Sequence, residues 1–207
     1  MSELLFNELP RPTFRWLRVN HTVSSLAGED TAVQSIAVEA NKNILSPLPV
    51  GTALLDGNYE GANKEAVHVL VEKAEGYAIN VPPKAKEVVG IRIDANARVA
   101  NRFQFIVGEG AELEVQFYVT GSGDALTNVS YLNEYDVKEA GKVVVKKVNL
   151  LPEHVQHIEH RYTKLEEKAD VEYINIEIGG SENILNYYHD LVGQESRMVH
   201  DIASVSY

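Results

Sequence analysis

From residue 66 onward the chain alternates apolar and polar residues with a period of two, and this pattern constrains the fold more than any other feature. The runs are Val67-His68-Val69-Leu70-Val71, Tyr77-Ala78-Ile79-Asn80-Val81, Ile91-Arg92-Ile93, Phe103-Gln104-Phe105-Ile106-Val107 and Leu113-Glu114-Val115-Gln116-Phe117-Tyr118-Val119. Val143-Val144-Val145, the stretch from His154 to His160, the run from Val171 to Ile178 and that from Met198 to Ala203 continue it. Each reads as a strand, and helical periodicity is nearly absent.

A repeat underlies the strands. A small, a polar and an apolar residue recur as Ala111-Glu112-Leu113, Gly141-Lys142-Val143, Ala169-Asp170-Val171 and Ser196-Arg197-Met198, at separations of 30, 28 and 27 residues. A poorer copy begins at Ala85, 26 residues before Ala111. The unit is too short for a propeller blade and suits a three-strand coil, so residues 64–207 are expected to form an all-β core of about five stacked coils. Stacking buries an apolar column that no single coil could bury, with Leu113, Val143, Val171 and Met198 in one interior row. A β-sandwich or jelly roll is the competing architecture.

Residues 1–63 read as a smaller N-terminal region. Pro10 and Pro12 forbid a continuous helix near the start, so Phe14, Trp16 and Leu17 are expected to dock the segment on the body. Val33 to Val38 reads as a strand. Residues 56–61 lack the alternating acidic ligands and closing glutamate of a calcium loop and read as a turn.

Composition removes several functions. Thirty acidic against 19 basic residues give a net charge of −11, which repels a phosphate backbone, so nucleic acid is not an expected partner. No apolar run approaches the roughly 18 residues that cross a membrane. The first residues carry no basic segment followed by a long apolar one, so there is no secretory signal and a cytoplasmic location is expected. The absence of cysteine excludes disulfides, thiolate nucleophiles and Cys-ligated metal or clusters from this chain.

The remaining metal candidates are His154, His157, His160 and His189. On a strand, His154 and His160 share a face while His157 points away, so three convergent ligands need a bend and no metal site is expected. His189 follows Tyr187-Tyr188 and has Asp190 beside it to orient its ring, a setting in which a histidine reads as structural. Glu75 and the pair Glu166-Glu167 have no acid/base partner in the pattern. Gly108-Glu109-Gly110 and Gly121-Ser122-Gly123 lack the third glycine and following helix of a dinucleotide fingerprint, and no catalytic residue emerges.

The stretch from Asn101 to Val115, with Arg102, Ile106-Val107 and Glu109-Gly110-Ala111-Glu112-Leu113, resembles a strand pair of the SufB/SufD family. Leu126-Thr127-Asn128-Val129 resembles that family's next strand, residues 154–180 a following coil, and residues 190–196 a turn. The opening from Leu9-Pro10 through Trp16 to Thr22 is faintly similar to the family's start. The resemblance implies a right-handed parallel β-helix that helps assemble iron–sulfur clusters without catalysis, pairs with a SufB/SufD-like subunit and works with a SufC-type ABC ATPase.

Members usually continue through later coils that carry a cysteine or histidine used in cluster building, and through a C-terminal helical region that docks the ATPase. Tyr207 falls within an alternating strand, so the chain is expected to be a short homologue or the N-terminal part of a longer one. Met198, Ile202, Val205 and Tyr207 have no cap after them, which calls for a heterodimer or homodimer. No cofactor is expected on this chain alone. A self-assembling structural β-helix and a carbohydrate-active β-helix enzyme are the alternative functions.

Overall fold

A computed structural model describes residues 3–6, 22–25, 36–56, 64–96, 98–122 and 127–205. β1 (Glu3–Phe6) and β2 (Thr22–Ser25) pair with each other antiparallel. β3 (Ile36–Glu39), β4 (Leu45–Leu48) and α1 (Lys64–Lys73) lead into ten further strands. These are β5 (Gly76–Val81), β6 (Lys86–Asp94), β7 (Val99–Val107), β8 (Glu112–Thr120), β9 (Thr127–Val137), β10 (Lys142–Leu151), β11 (Val155–Leu165), β12 (Asp170–Gly179), β13 (Glu182–Leu191) and β14 (Arg197–Val205).

The ten strands alternate between two parallel stacks and form a β-helix. Sheet I has the order β13-β11-β9-β7-β5-β4, and sheet II the order β14-β12-β10-β8-β6-β3. β4 and β3 pair antiparallel with β5 and β6, covering the backbone edge that the first coil would otherwise leave open. A coil holds two strands, not three: from β6 onward the strands run to 9–11 residues, so two strands and their short connections fill the repeat.

The expected interior column is present. Leu113, Val143, Val171 and Met198 are neighbours in register on β8, β10, β12 and β14, with the first three buried and Met198 packed against the same core. The fainter copy also fits, since Lys86 pairs with Glu112. At the last strand, Ile202 and Val205 are exposed as anticipated, while Tyr207 lies outside the described residues, as do Phe14, Trp16 and Leu17.

One strand assignment is overturned. Val67 to Val71 belongs to α1, because Ala66, Val67, Leu70 and Ala74 are buried at helical spacing. Five alternating residues fit either period, and the flanking Lys, Glu and Ala favour a helix. Exposed His68 meets Glu72 at 2.9 Å, an i,i+4 pair available only on a helix.

The repeat's small residue marks a shared turn. Pro82 to Ala85, Gly108 to Ala111, Lys138 to Gly141, Glu166 to Ala169 and Gly193 to Ser196 each close with a backbone bond from fourth residue to first. The third residue is left-handed in all five: Lys84, Gly110, Ala140, Lys168 and Glu195 have φ of 62°, 61°, 55°, 56° and 59°. Turns are tied along the axis as well, the amides of Lys84, Gly110, Ala140 and Lys168 donating to the carbonyls of Glu109, Glu139, Glu167 and Gln194 on the next coil. This ladder offsets the conformational cost at three of the four non-glycine positions, Lys84, Ala140 and Lys168.

Val171 is fully buried in the apolar column, between Val143 and Met198. Val171→Asp is expected to cost roughly 3 to 5 kcal/mol, read as a lowered urea midpoint at neutral pH. A midpoint unchanged from the native protein contradicts the column.

Candidate functional site: a charged network between the sheets

The interior changes character along the axis. On sheet II one inward row runs Ile91, Phe117, Lys147, Asn175, and the next runs Ile93, Val119, Asn149, Glu177. The same phase that turns Val143 and Val145 inward on β10 turns Lys147 and Asn149 inward; on β12 Val171 and Tyr173 do so for Asn175 and Glu177. On sheet I, β11 contributes His157, Glu159 and Arg161, β9 contributes Tyr131 and Asn133, and β13 contributes Tyr187.

Glu159 is the hub of this network. Its Oε2 accepts from Lys147 Nζ at 2.6 Å and Tyr187 Oη at 3.1 Å, while Oε1 accepts from Arg161 Nη2 at 2.7 Å and Asn133 Nδ2 at 3.0 Å. Lys147 also meets Glu177 Oε1 at 2.7 Å. The Arg161 guanidinium lies 4.2 Å from the ring centroids of both Tyr173 and Tyr187, which cover its faces. Lys147, Glu159, Arg161 and Glu177 all have side chains no more than 1–2% exposed, so this is a charge cluster withdrawn from water.

Burial sets the direction of most titrations here. For Glu159 burial disfavours the charged form, but the charges of Arg161 and Lys147 outweigh it and hold the carboxyl well below the usual range. At Glu177 burial prevails over Lys147 and raises the pKa. Burial, reinforced by Lys147, lowers His157 to about 3. The neutral ring fits its partners: Asn149 Nδ2 faces Nδ1 at 3.1 Å and Nε2 lies 3.0 Å from Tyr131 Oη.

The four histidine candidates are dispersed. His157 faces the interior; His160, in register with Leu132, points to the outer side of sheet I and is buried there, which lowers it to about 4. His154 sits in the turn before β11. His189 faces inward on β13, lowered to about 4 by burial and then by Arg161. His200, not singled out from the sequence, lies beside it edge-on, with ring centroids 6.1 Å apart. Among the described residues no three His, Asp or Glu side chains converge as a metal site would require. Glu166 pairs with Lys138 and Glu167 with Lys168, both at the surface turn.

A second polar cluster lies on the outer side of sheet I. Buried Arg102 and Gln104 both reach Glu134 Oε2 at 3.0 Å. Arg102 also donates to the Thr52 carbonyl and Gln104 to that of Ala53, while the Leu55 amide donates to Glu134 Oε1 at 2.7 Å. The three side chains thereby strap residues 52–55 to the coils by backbone groups alone. Arg102 lies in the stretch that resembled the family, but its alternating phase gave no hint of a buried partner.

Lys147 is the cation between two buried carboxylates, so Lys147→Met should destabilise by about 3 to 5 kcal/mol in urea unfolding. The His157 and His160 shifts set a pH dependence. Their folded values lie below the unfolded 6.5, so the unfolded chain binds more protons between those limits. Their contribution is complete above pH 6.5 and is lost as pH falls toward 4 to 3; Glu159 acts in the same direction at lower pH, while Glu177 opposes it. The urea midpoint should fall on acidification from neutral pH, and fall less steeply in His157→Gln; a flat profile contradicts the assignment.

No helix among the described residues is long and apolar enough to cross a membrane. No curated protein and no solved structure matches the chain significantly. The family model "SUF system FeS cluster assembly, SufBD core domain" matches residues 91–206, more than half of the chain and nearly all of β6 to β14. With its parallel coils in place and the matched span running through them, the chain belongs to the SufB/SufD family, and its core domain is that of iron–sulfur cluster assembly by the SUF system.

Proposed function

We propose that the chain is a non-catalytic scaffold subunit of iron–sulfur cluster assembly, acting in the cytoplasm with a SufC-type ABC ATPase and a SufB/SufD-like partner. The match of the family core across the stacked coils carries this reading. The cluster is cargo. With no cysteine in the sequence, and with His154, His157, His160 and His189 facing different surroundings, the chain binds neither a cluster nor structural zinc by itself. A partner would supply the thiols.

Pairing through β-structure follows from the outer strands. β13 and β14 end the two stacks among the described residues, and Leu191, Ile202 and Val205 are exposed beside them. A coil from a SufB/SufD-like subunit, or from a second copy in its absence, would cover that surface and continue both backbone ladders. The buried carboxylates favour a scaffold over a carbohydrate-active enzyme, because Glu159 and Glu177 are engaged with Lys147 between the sheets and cannot reach a sugar.

Affinity purification from the native host should bring down an ABC-type ATPase. Anaerobic reconstitution of the isolated chain should leave no stoichiometric iron and sulfide after gel filtration. Retained iron and sulfide that are lost on His154 or His157 substitution would overturn the claim that the chain alone holds no cluster, and purification free of any ATPase would overturn the partnership.

A further inference from the structure

The two outer faces of the coils are finished differently. On sheet I, α1 lies over the outward residues: Ala66 packs with Ile158 and Ile184, and Val67, Leu70 and Ala74 pack with Leu132. On sheet II the outward residues Tyr118, Val148 and Ile176 form one row across β8, β10 and β12, and Leu150, Ile178 and Val205 form the adjacent row across β10, β12 and β14. Tyr118, Leu150, Ile176 and Val205 are 43%, 38%, 39% and 55% exposed. Rows about 7 Å apart over strands about 4.8 Å apart make a continuous apolar strip of the width that one helix covers.

The charges beside this strip select its occupant. Glu172 and Asp201 are exposed on the same face, where the cations Lys86, Arg92, Lys146 and Arg197 lie within 4.0 Å of Glu112, Glu39, Glu114 and Asp170 and Lys142 is exposed near the start of β10. The chain as a whole carries −11. A second copy laid against the strip would set these acids against their own kind, whereas a helix with basic margins would complement them. Sheet I supplies the geometric precedent, an amphipathic helix lying across outward apolar residues of the same coils.

We propose that the outer face of sheet II docks an amphipathic helix of another protein, apolar along one stripe and rich in Lys or Arg at its margins. The strip meets the β14 edge at Val205, while Tyr118, Val148, Leu150 and Ile176 lie away from that edge on the outward face, and the inference does not rest on the cluster-assembly reading. A fluorescently labelled synthetic helix of leucine and lysine serves as the probe, with a leucine–glutamate helix of the same pattern as its counterpart, both followed by anisotropy at physiological salt.

The leucine–lysine helix should bind saturably and the leucine–glutamate helix should not. Ile176→Gln should weaken binding about tenfold. Tyr118→Ser, at a more exposed site, should weaken it as well if Ile176→Gln disturbs folding, with circular dichroism confirming the native fold of either variant. Glu172→Lys should also weaken it. No binding, equal binding of both helices, or unchanged affinity in the folded Ile176 and Tyr118 variants would each overturn the proposal. So would a dimer in solution that Ile176→Gln dissociates, since a second copy would then be the occupant.

Discussion

The parallel backbone ladder decides which side chains meet. Each coil lies about 4.8 Å from the next, so an inward residue has one fixed neighbour above and one below, and a slip by one residue would exchange inside for outside along a whole strand. Val143 stands between Leu113 and Val171 for this reason, and Lys147, four residues further along β10, stands between Phe117 and Asn175. The ladder forces the cation inward once the valines are inward. Counter-charges must then come from neighbouring inward positions: Glu159 arrives across the interior from β11, and Glu177 from β12, the next strand of the same sheet.

That constraint explains what was legible in the sequence. Where only the inner face is buried, as on β8, β10 and β12, alternation is clean and the strands and their column could be read directly. β9 and β11 are buried on both faces, and β9 shows no alternation for periodicity to detect; only family resemblance pointed to its start at residues 126–129. The histidine reading placed His157 and His160 on opposite faces correctly, because strand geometry alone determines that. The charged network lies on the same alternation, but beyond the Val143-Val144-Val145 run, where the apolar signal stops at Lys146-Lys147. Extending the phase of Val143 and Val145 by two and four residues would have placed Lys147 and Asn149 inside. The strap over residues 52–55 had no comparable signal, because its partners are backbone groups distant in sequence.

A buried cluster of this kind is costly to assemble and costly to break, while contributing little net stability over apolar packing. What it adds is discrimination: only the register that brings Lys147 to both Glu159 and Glu177, and Arg161 between Tyr173 and Tyr187, satisfies these groups. The coils of β5 to β8, filled by Phe103, Phe105 and Phe117, would tolerate more repacking. The scaffold is thus adaptable toward β5 and strictly specified toward β14.

The five left-handed turns divide the rim of the molecule into two edges with different freedom. Between sheet I and sheet II the connections hold four residues four times and five once, from β13 to β14, each containing the same hydrogen-bonded turn. On the return from sheet II to sheet I they hold four, six, three and two residues. The first edge behaves as a ruler that keeps coils in step, and its connections vary by one residue where those of the second vary by four. A loop inserted on the return edge of this chain would therefore lengthen one margin and leave the turn ladder of the other intact.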